Sequence, residues 1–127
     1  MLSAFDRQEP PLPQREIVTK ELASLFGALS HPHRVRIVEE LRGGERDVNQ
    51  LAEILDCSHS RVSQHLTLLK AHRLVTPRRE GRHVYYSLAE PRVARWVLEG
   101  LDFTEAALLQ PGRIREAMAN AREEWGE

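Results

Sequence analysis

The segment DVNQLAEILDCSHSRVSQHLTLLKAH, residues 47–72, constrains this chain more than any other. Asp47 with Gln50 three residues on is a capping-box pattern, so a helix should start there. Its apolar face would be Val48, Leu51, Ile54 and Leu55. Asp56-Cys57 breaks it, and Ser58 suits the N-cap of a second helix over about 58–72. Two short helices with so tight a break between them have helix-turn-helix spacing. On a helical wheel, Val62, Leu66 and Leu69 share one side of the second helix. Ser60, Gln64 and Thr67 point away, flanked by Ser63 and Arg61. An ordinary surface helix mixes Glu with Lys, but this outer strip holds no acid.

Charge is distributed to match. The net charge is −1, yet residues 58–83 hold six Arg or Lys against Glu80 alone. That window is +5 and the remainder is −6. Four of the six histidines, His59, His65, His72 and His83, fall in it too. A polyanion-binding patch on an acidic body has this signature. Gln, Arg, Ser and Thr can hydrogen-bond base edges or phosphates in a DNA major groove. A Ser58-capped helix N-terminus would add its positive dipole end.

The flanking sequence supplies a body for this element. Pro10, Pro11 and Pro13 mark a flexible lead over residues 1–15. From Glu16 to near Ser30, Ile17, Val18, Leu22, Leu25, Phe26 and Leu29 recur at helical spacing. Pro32 ends that helix and opens another, carrying Val35, Ile37, Val38 and Leu41 and stopping at Gly43-Gly44. After the helix-turn-helix, Val75-Thr76 and Val84-Tyr85-Tyr86 flank Glu80-Gly81-Arg82, which predicts a β-hairpin over about 76–86. Pro77 fits an edge strand. Pro91 then opens a helix with Val93, Trp96, Val97 and Leu101 inward. A last helix follows Pro111-Gly112, with Ile114, Ala117, Met118, Ala121 and Trp125 on one stripe.

The expected fold is therefore mostly α with a small β-hairpin wing, a winged helix-turn-helix of order α/α/α/α/β/β/α plus an extra C-terminal helix. Residues 16–108 would form the DNA-binding and dimerisation domain, and 109–127 a C-terminal helix supporting the dimer. The 127 residues suffice for one such core. No apolar run approaches a membrane span, and the first residues lack the basic-then-apolar pattern of a signal peptide. Cys57 is the single cysteine, so no internal disulfide forms. A cytoplasmic protein without a membrane partner is expected.

ALSHPHRVRIVEEL, VNQLAEILDCSHSRVSQHLTLLKAHRLV and RREGRHVYYSL together resemble the ArsR/SmtB family of winged-helix repressors, over roughly residues 17–101. The pairing of SRVSQHLTLLK with GRHVYYSL is highly specific. The resemblance implies a bacterial regulator whose second helix-turn-helix helix reads the major groove and whose wing tracks the backbone. It implies groove contact for Ser58, Ser60, Arg61, Ser63, Gln64 and His65, and wing contact for Arg78, Arg79, Arg82 and His83. His59, beside the helix cap, joins the DNA-facing set. The wheel puts His65 next to the apolar side, so it fits a half-buried structural residue equally well. The resemblance also implies two-fold dimers through the first and last helices of the domain. The apolar surplus agrees, naming Leu22, Leu25, Phe26, Val93, Trp96, Val97 and Leu101 as the interface.

Members of the family are best known as metal and metalloid sensors, and here the sequence departs. The positions of a common Cys-x-Cys site are Asp47 and Asn49, and those of an Asp-x-His site are Asp102 and Thr104. No histidine follows His83, and no cysteine or histidine precedes His31. A two-cysteine switch within one chain is ruled out. His59, His65 and His72 are not at His-x-x-x-His spacing. His31-Pro-His33 fits either an unusual metal pair or a helix N-terminal turn. No metal and no cofactor is therefore expected, and the inducer stays undefined. Cys57, in the turn, fits a core filler or a redox sensor whose pKa His59 and the helix terminus would lower. The motifs of phosphate loops, nucleophile elbows and zinc proteases are missing, so no enzyme is expected. The reading is a homodimeric repressor on an imperfect palindrome. Its alternatives are a protein-binding winged-helix module and a metal-responsive repressor with an unconventional histidine site.

Overall fold

A computed structural model describes residues 11–107 and 112–126 of the chain. The N-terminal lead through Pro10, the 108–111 link with Pro111, and the side chain of Ile114 lie outside the described positions. Six helices and three strands follow in order. They are α1 (Leu12–Ala28), α2 (Pro32–Leu41), β1 (Arg46–Asp47), α3 (Val48–Leu55), α4 (His59–Ala71), β2 (Val75–Glu80), β3 (His83–Leu88), α5 (Arg92–Ala107) and α6 (Arg113–Glu124). The strands form one antiparallel sheet in the order β1-β3-β2.

Each element starts and stops for a local reason. Helix α1 begins four residues before the expected Glu16, because Pro13 sits in its first turn. A proline is tolerated there, where backbone N–H groups have no helical partner anyway. His31 caps α2, its Nδ1 accepting from the His33 N–H at 3.0 Å. The capping box on α3 is complete: Asp47 Oδ1 accepts from Gln50 N at 2.8 Å, and Gln50 Oε1 accepts from Asp47 N at 2.9 Å. Asp56 takes a left-handed turn, φ 51°, and Ser58 Oγ accepts from Arg61 N at 3.1 Å to start α4. Arg73, at φ 61°, ends α4, and the Leu74 N–H closes back on the Leu69 carbonyl at 2.9 Å. Gly81, at φ 60°, opens the two-residue turn between the paired Glu80 and His83. That conformation favours a residue without Cβ.

The core lies where α2, α3, α4 and α5 meet. Ile37, Val38, Leu41, Leu51, Val62, Leu66, Leu69, Leu74, Val75, Val93 and Ala94 are buried together. Each large aliphatic side chain so placed contributes roughly 1.5–3 kcal/mol over exposure. Truncating Leu66, which is fully buried, would cost about 2–5 kcal/mol through lost contact and the cavity left behind. Ala52 takes the place expected of Ile54. Positions 48, 51, 52 and 55 form the inward stripe of this eight-residue helix, and Ile54 falls outside it.

The wing departs from the expected hairpin by one strand. Arg46 and Asp47 pair with Tyr86 and Tyr85, so β3 is central and β2, with Pro77, is an edge. Two residues carry no period-two signal, and only the approach of β3 makes β1 a strand. At the other end, Arg122 of α6 bonds Asp102 and Glu105 of α5. Trp125 reaches a polar cleft shared with Arg36, Glu39, Glu40 and Gly43 of the α2 region. The C-terminal helix therefore folds back over its own chain.

Candidate nucleic-acid interface

Helix α4 divides cleanly. Val62, His65, Leu66 and Leu69 are buried, while Ser60, Arg61, Ser63, Gln64 and Thr67 are exposed. Ser58 and His59 at the helix start are exposed as well. The side chains of Arg61 and Gln64 make no hydrogen bond or ion pair with other described residues, so their donors and acceptors are open to a ligand. Thr67 differs: its hydroxyl donates to the Ser63 carbonyl at 2.8 Å. Such back-bonding occupies the group's one proton and leaves a lone pair outward.

The wing arginines are not equivalent. Arg78 grips Glu45 with two bonds, Nε to Oε2 at 2.9 Å and Nη2 to Oε1 at 3.0 Å. Its Nη1 donates to Glu80 Oε2 at 2.8 Å, and its guanidinium lies 5.0 Å from the Tyr85 ring centroid. The hydrogen bonds from Arg78 hold the Glu45 carboxyl below its ordinary range and push the guanidinium higher still. Arg78 thus fastens the strand to the loop before β1. Arg79 and Arg82 are exposed and make no ion pair with any described residue. His83 Nδ1 stands 3.7 Å from Asp47 Oδ2, which turns one edge of that ring toward the protein.

His65 does not join the exposed strip. It is 8% exposed, and Arg34 Nη1 lies 3.2 Å from its Nδ1. Its ring centroid is 4.5 Å from that of His31 and 5.5 Å from that of His33. Groove contact from His65 is therefore corrected to a packing position, because its place on the helix turns it to α2. The helical wheel allowed this; what sequence spacing could not reveal is that His31 and His33, more than thirty residues away, meet it there. Cys57 is half-buried and packs against the core as a free thiol.

A second exposed surface is apolar. Leu12, Ile17, Val18, Leu22 and Phe26 line α1, and Trp96 and Phe103 lie on α5. Phe26 is 55% and Trp96 46% exposed. Leu25 and Val97 are half-buried, packed against the core, and Leu101 is half-buried. Val93 is the exception among the expected interface residues: at 4% exposure it belongs to the chain's own core. It faces inward beside Ala94, whereas Trp96 stands outward.

A compact helical body, an exposed acid-free second helix and a three-stranded wing define a winged helix-turn-helix regulator. Residues 31–76 match the family model of bacterial regulatory proteins of the arsR family. The transcriptional repressor SmtB of Mycobacterium tuberculosis is 41% identical over 92 residues, covering 72% of this chain and 67% of that protein. Among solved structures, NolR from Sinorhizobium fredii superposes with a TM-score of 0.67 at 30% identity, covering 79% of this chain and 99% of the other. The homodimeric winged helix-turn-helix DNA-binding domain Mb0332, fragment 1–100, from Mycobacterium bovis gives 0.69 at 26% identity, covering 84% and 98%. The chain belongs to the arsR family and is a transcriptional regulator rather than an enzyme. Among the described residues no helix is long and apolar enough to cross a membrane.

Proposed function

We propose that the protein acts as a homodimeric repressor that binds an imperfect palindromic operator in the cytoplasm. Helix α4 enters the major groove with Ser60, Arg61, Ser63 and Gln64 at the base edges, and its capped start, Ser58 with His59, lies against the backbone. Arg79 and Arg82 meet phosphates along the wing, with His83 beside them. The observation that carries this reading is the exposed, acid-free face of α4, whose Arg61 and Gln64 side chains have no partner among the described residues. Gln pairs with adenine and Arg with guanine in the major groove. The apolar face of α1 and α5 supports the dimer: Leu22, Phe26 and Trp96 with their half-buried neighbours Leu25, Val97 and Leu101 would be covered by a second copy. A two-fold axis there would present two α4 helices to successive grooves, about 34 Å apart. Helix α6, braced on α5 by Arg122, would stiffen that interface from behind.

The test is a salt titration of binding to duplex DNA from the protein's own promoter and to a scrambled duplex of equal length. Binding should be tighter on the promoter, and affinity for both should fall steeply with salt as counterions are released. Equal affinity for the two, or binding indifferent to salt, would reject operator recognition.

A further inference from the structure

Three imidazoles converge where α2 begins and α4 passes beneath it. One ring nitrogen from each of His31, His33 and His65 lies within 4.8 Å of the other two. The elements that bring them together are unrelated in sequence: the cap and first turn of α2, and the buried side of α4. Two of the nitrogens are buried with no hydrogen-bond partner among the described residues, His33 Nδ1 and His65 Nε2. A buried polar nitrogen without a partner costs free energy and calls for an explanation. His31 and His33 are only half-buried, so an ion has a way in.

We propose that His31, His33 and His65 form a binding site for a late first-row divalent metal such as Zn2+ or Co2+, and that its occupancy weakens operator binding. The second half rests on α4 being the reading helix. Three neutral imidazoles are a donor set that suits these ions, with water filling the remaining positions. Zn–N bonds of about 2.0–2.1 Å place tetrahedral donors about 3.4 Å apart, so the rings need to close by roughly an ångström. Desolvation, followed by neighbouring positive charge, holds His31 and His65 below the ordinary imidazole range.

The hydrogen bonds around the triad show what occupancy would change. A neutral imidazole has one ring lone pair. That of His65 is taken by Arg34, because a guanidinium only donates. That of His31 is taken by the His33 backbone N–H. Of the three rings, His33 alone has its lone pair untouched by a hydrogen bond from any described residue. A metal must therefore displace Arg34 from His65 and remove the α2 cap. Arg34 also donates through Nε to the Ala28 carbonyl at 2.6 Å. It is a strap from the end of α1, the helix with the apolar face, to α4, the reading helix. Loading the site unties that strap at its α4 end, which loosens the relation between dimer axis and reading helix.

The experiment uses tag-free full-length protein stripped with chelator and titrated with Co2+, followed by visible absorption and calorimetry, with operator affinity measured before and after loading. One Co2+ per chain should bind with a nitrogen-ligand spectrum. Removing even an outer-shell partner of a metal costs about 10–100-fold in affinity, so His33→Asn should lose at least that. Because the His33 side chain makes no hydrogen bond with any described residue, the variant should fold, which a thermal melt checks; Cys57→Ser should bind as wild type. By reciprocity, Co2+ and operator should weaken one another by the same factor. Absence of stoichiometric binding, a thiolate charge-transfer band, or unchanged affinity in His33→Asn would overturn the site. Equal operator affinity with and without metal would overturn the coupling. If the stripped protein binds no operator at all, the proposed function fails while the spectrum still decides the site.

Discussion

The chain exposes two surfaces of opposite chemistry, and they differ in how they came to be exposed. The polar surface of α4 and the wing is built from side chains that water solvates well, Ser60, Arg61, Gln64, Arg79 and Arg82. Their outward position costs nothing. The apolar surface of α1 and α5 consists of side chains that water disfavours, Ile17, Leu22, Phe26, Trp96 and Phe103, the last 74% exposed. Large exposed apolar patches are uncommon on soluble monomers, which is why these side chains support the proposed dimer. The difference teaches why the proposed function gives the apolar surface a second copy of the chain and the polar one a ligand of opposite charge.

Trp96→Asp should break the contrast most severely. A carboxylate in the proposed interface would have to be desolvated without a partner, a cost of about 3–5 kcal/mol, or upwards of 100-fold in dimer dissociation. Sedimentation should show monomers, with operator affinity falling in parallel. A Trp96→Asp protein that sediments as a dimer would place the interface elsewhere.

Gln64→Ala acts on the other surface. It should cost roughly 1–3 kcal/mol on the operator and little on scrambled DNA, without touching dimerisation. Equal losses on both duplexes would demote Gln64 to a phosphate contact.

The wing offers a comparison within a single strand. Arg79→Ala removes one phosphate contact per subunit, so the log–log salt slope of a dimer should fall by roughly two. Arg78→Ala should leave that slope nearly unchanged. It removes an exposed ion pair with Glu45 and Glu80, an interaction of a type that usually contributes no more than about 1 kcal/mol to stability. Identical slopes for the two variants would mean that Arg78 leaves Glu45 when DNA arrives.

The smallest effect is expected far from both surfaces. Burial, and then the neighbouring Glu40 carboxylate, raise Glu39 from 4.5 to about 7. A carboxyl raised in the folded state opposes folding once ionised. That cost is absent below about 4.5, grows as pH rises toward about 7, and is complete above it. Glu39→Gln should therefore melt higher than wild type at about pH 8 and close to it at about pH 4.5. Operator affinity and dimerisation should not change. The same melting difference at both pH values would show that Glu39 ionises as an ordinary surface carboxyl.

Much of this molecule is written locally. The Asp47–Gln50 capping box, the Ser58 cap, the α4 stripe of Val62, Leu66 and Leu69, and the Gly81 turn each depend on residues a few positions apart, so periodicity and cap chemistry determine them. The outward Ser60, Arg61 and Gln64 follow from the same wheel. Tertiary structure decided what depends on neighbours distant in sequence. Only packing spends Val93 on the core and leaves Trp96, three residues on, outside. Only the register of β3 turns Arg46-Asp47 into a strand. Only the closeness of Glu45 to β2 separates Arg78 from Arg79, which are identical in type and adjacent in sequence. Likewise His65 becomes a buried partner of His31, His33 and Arg34 because α4 crosses the start of α2. Pattern specifies which face of an element turns inward, but the identity of what waits there is fixed by long-range packing, which no local spacing encodes.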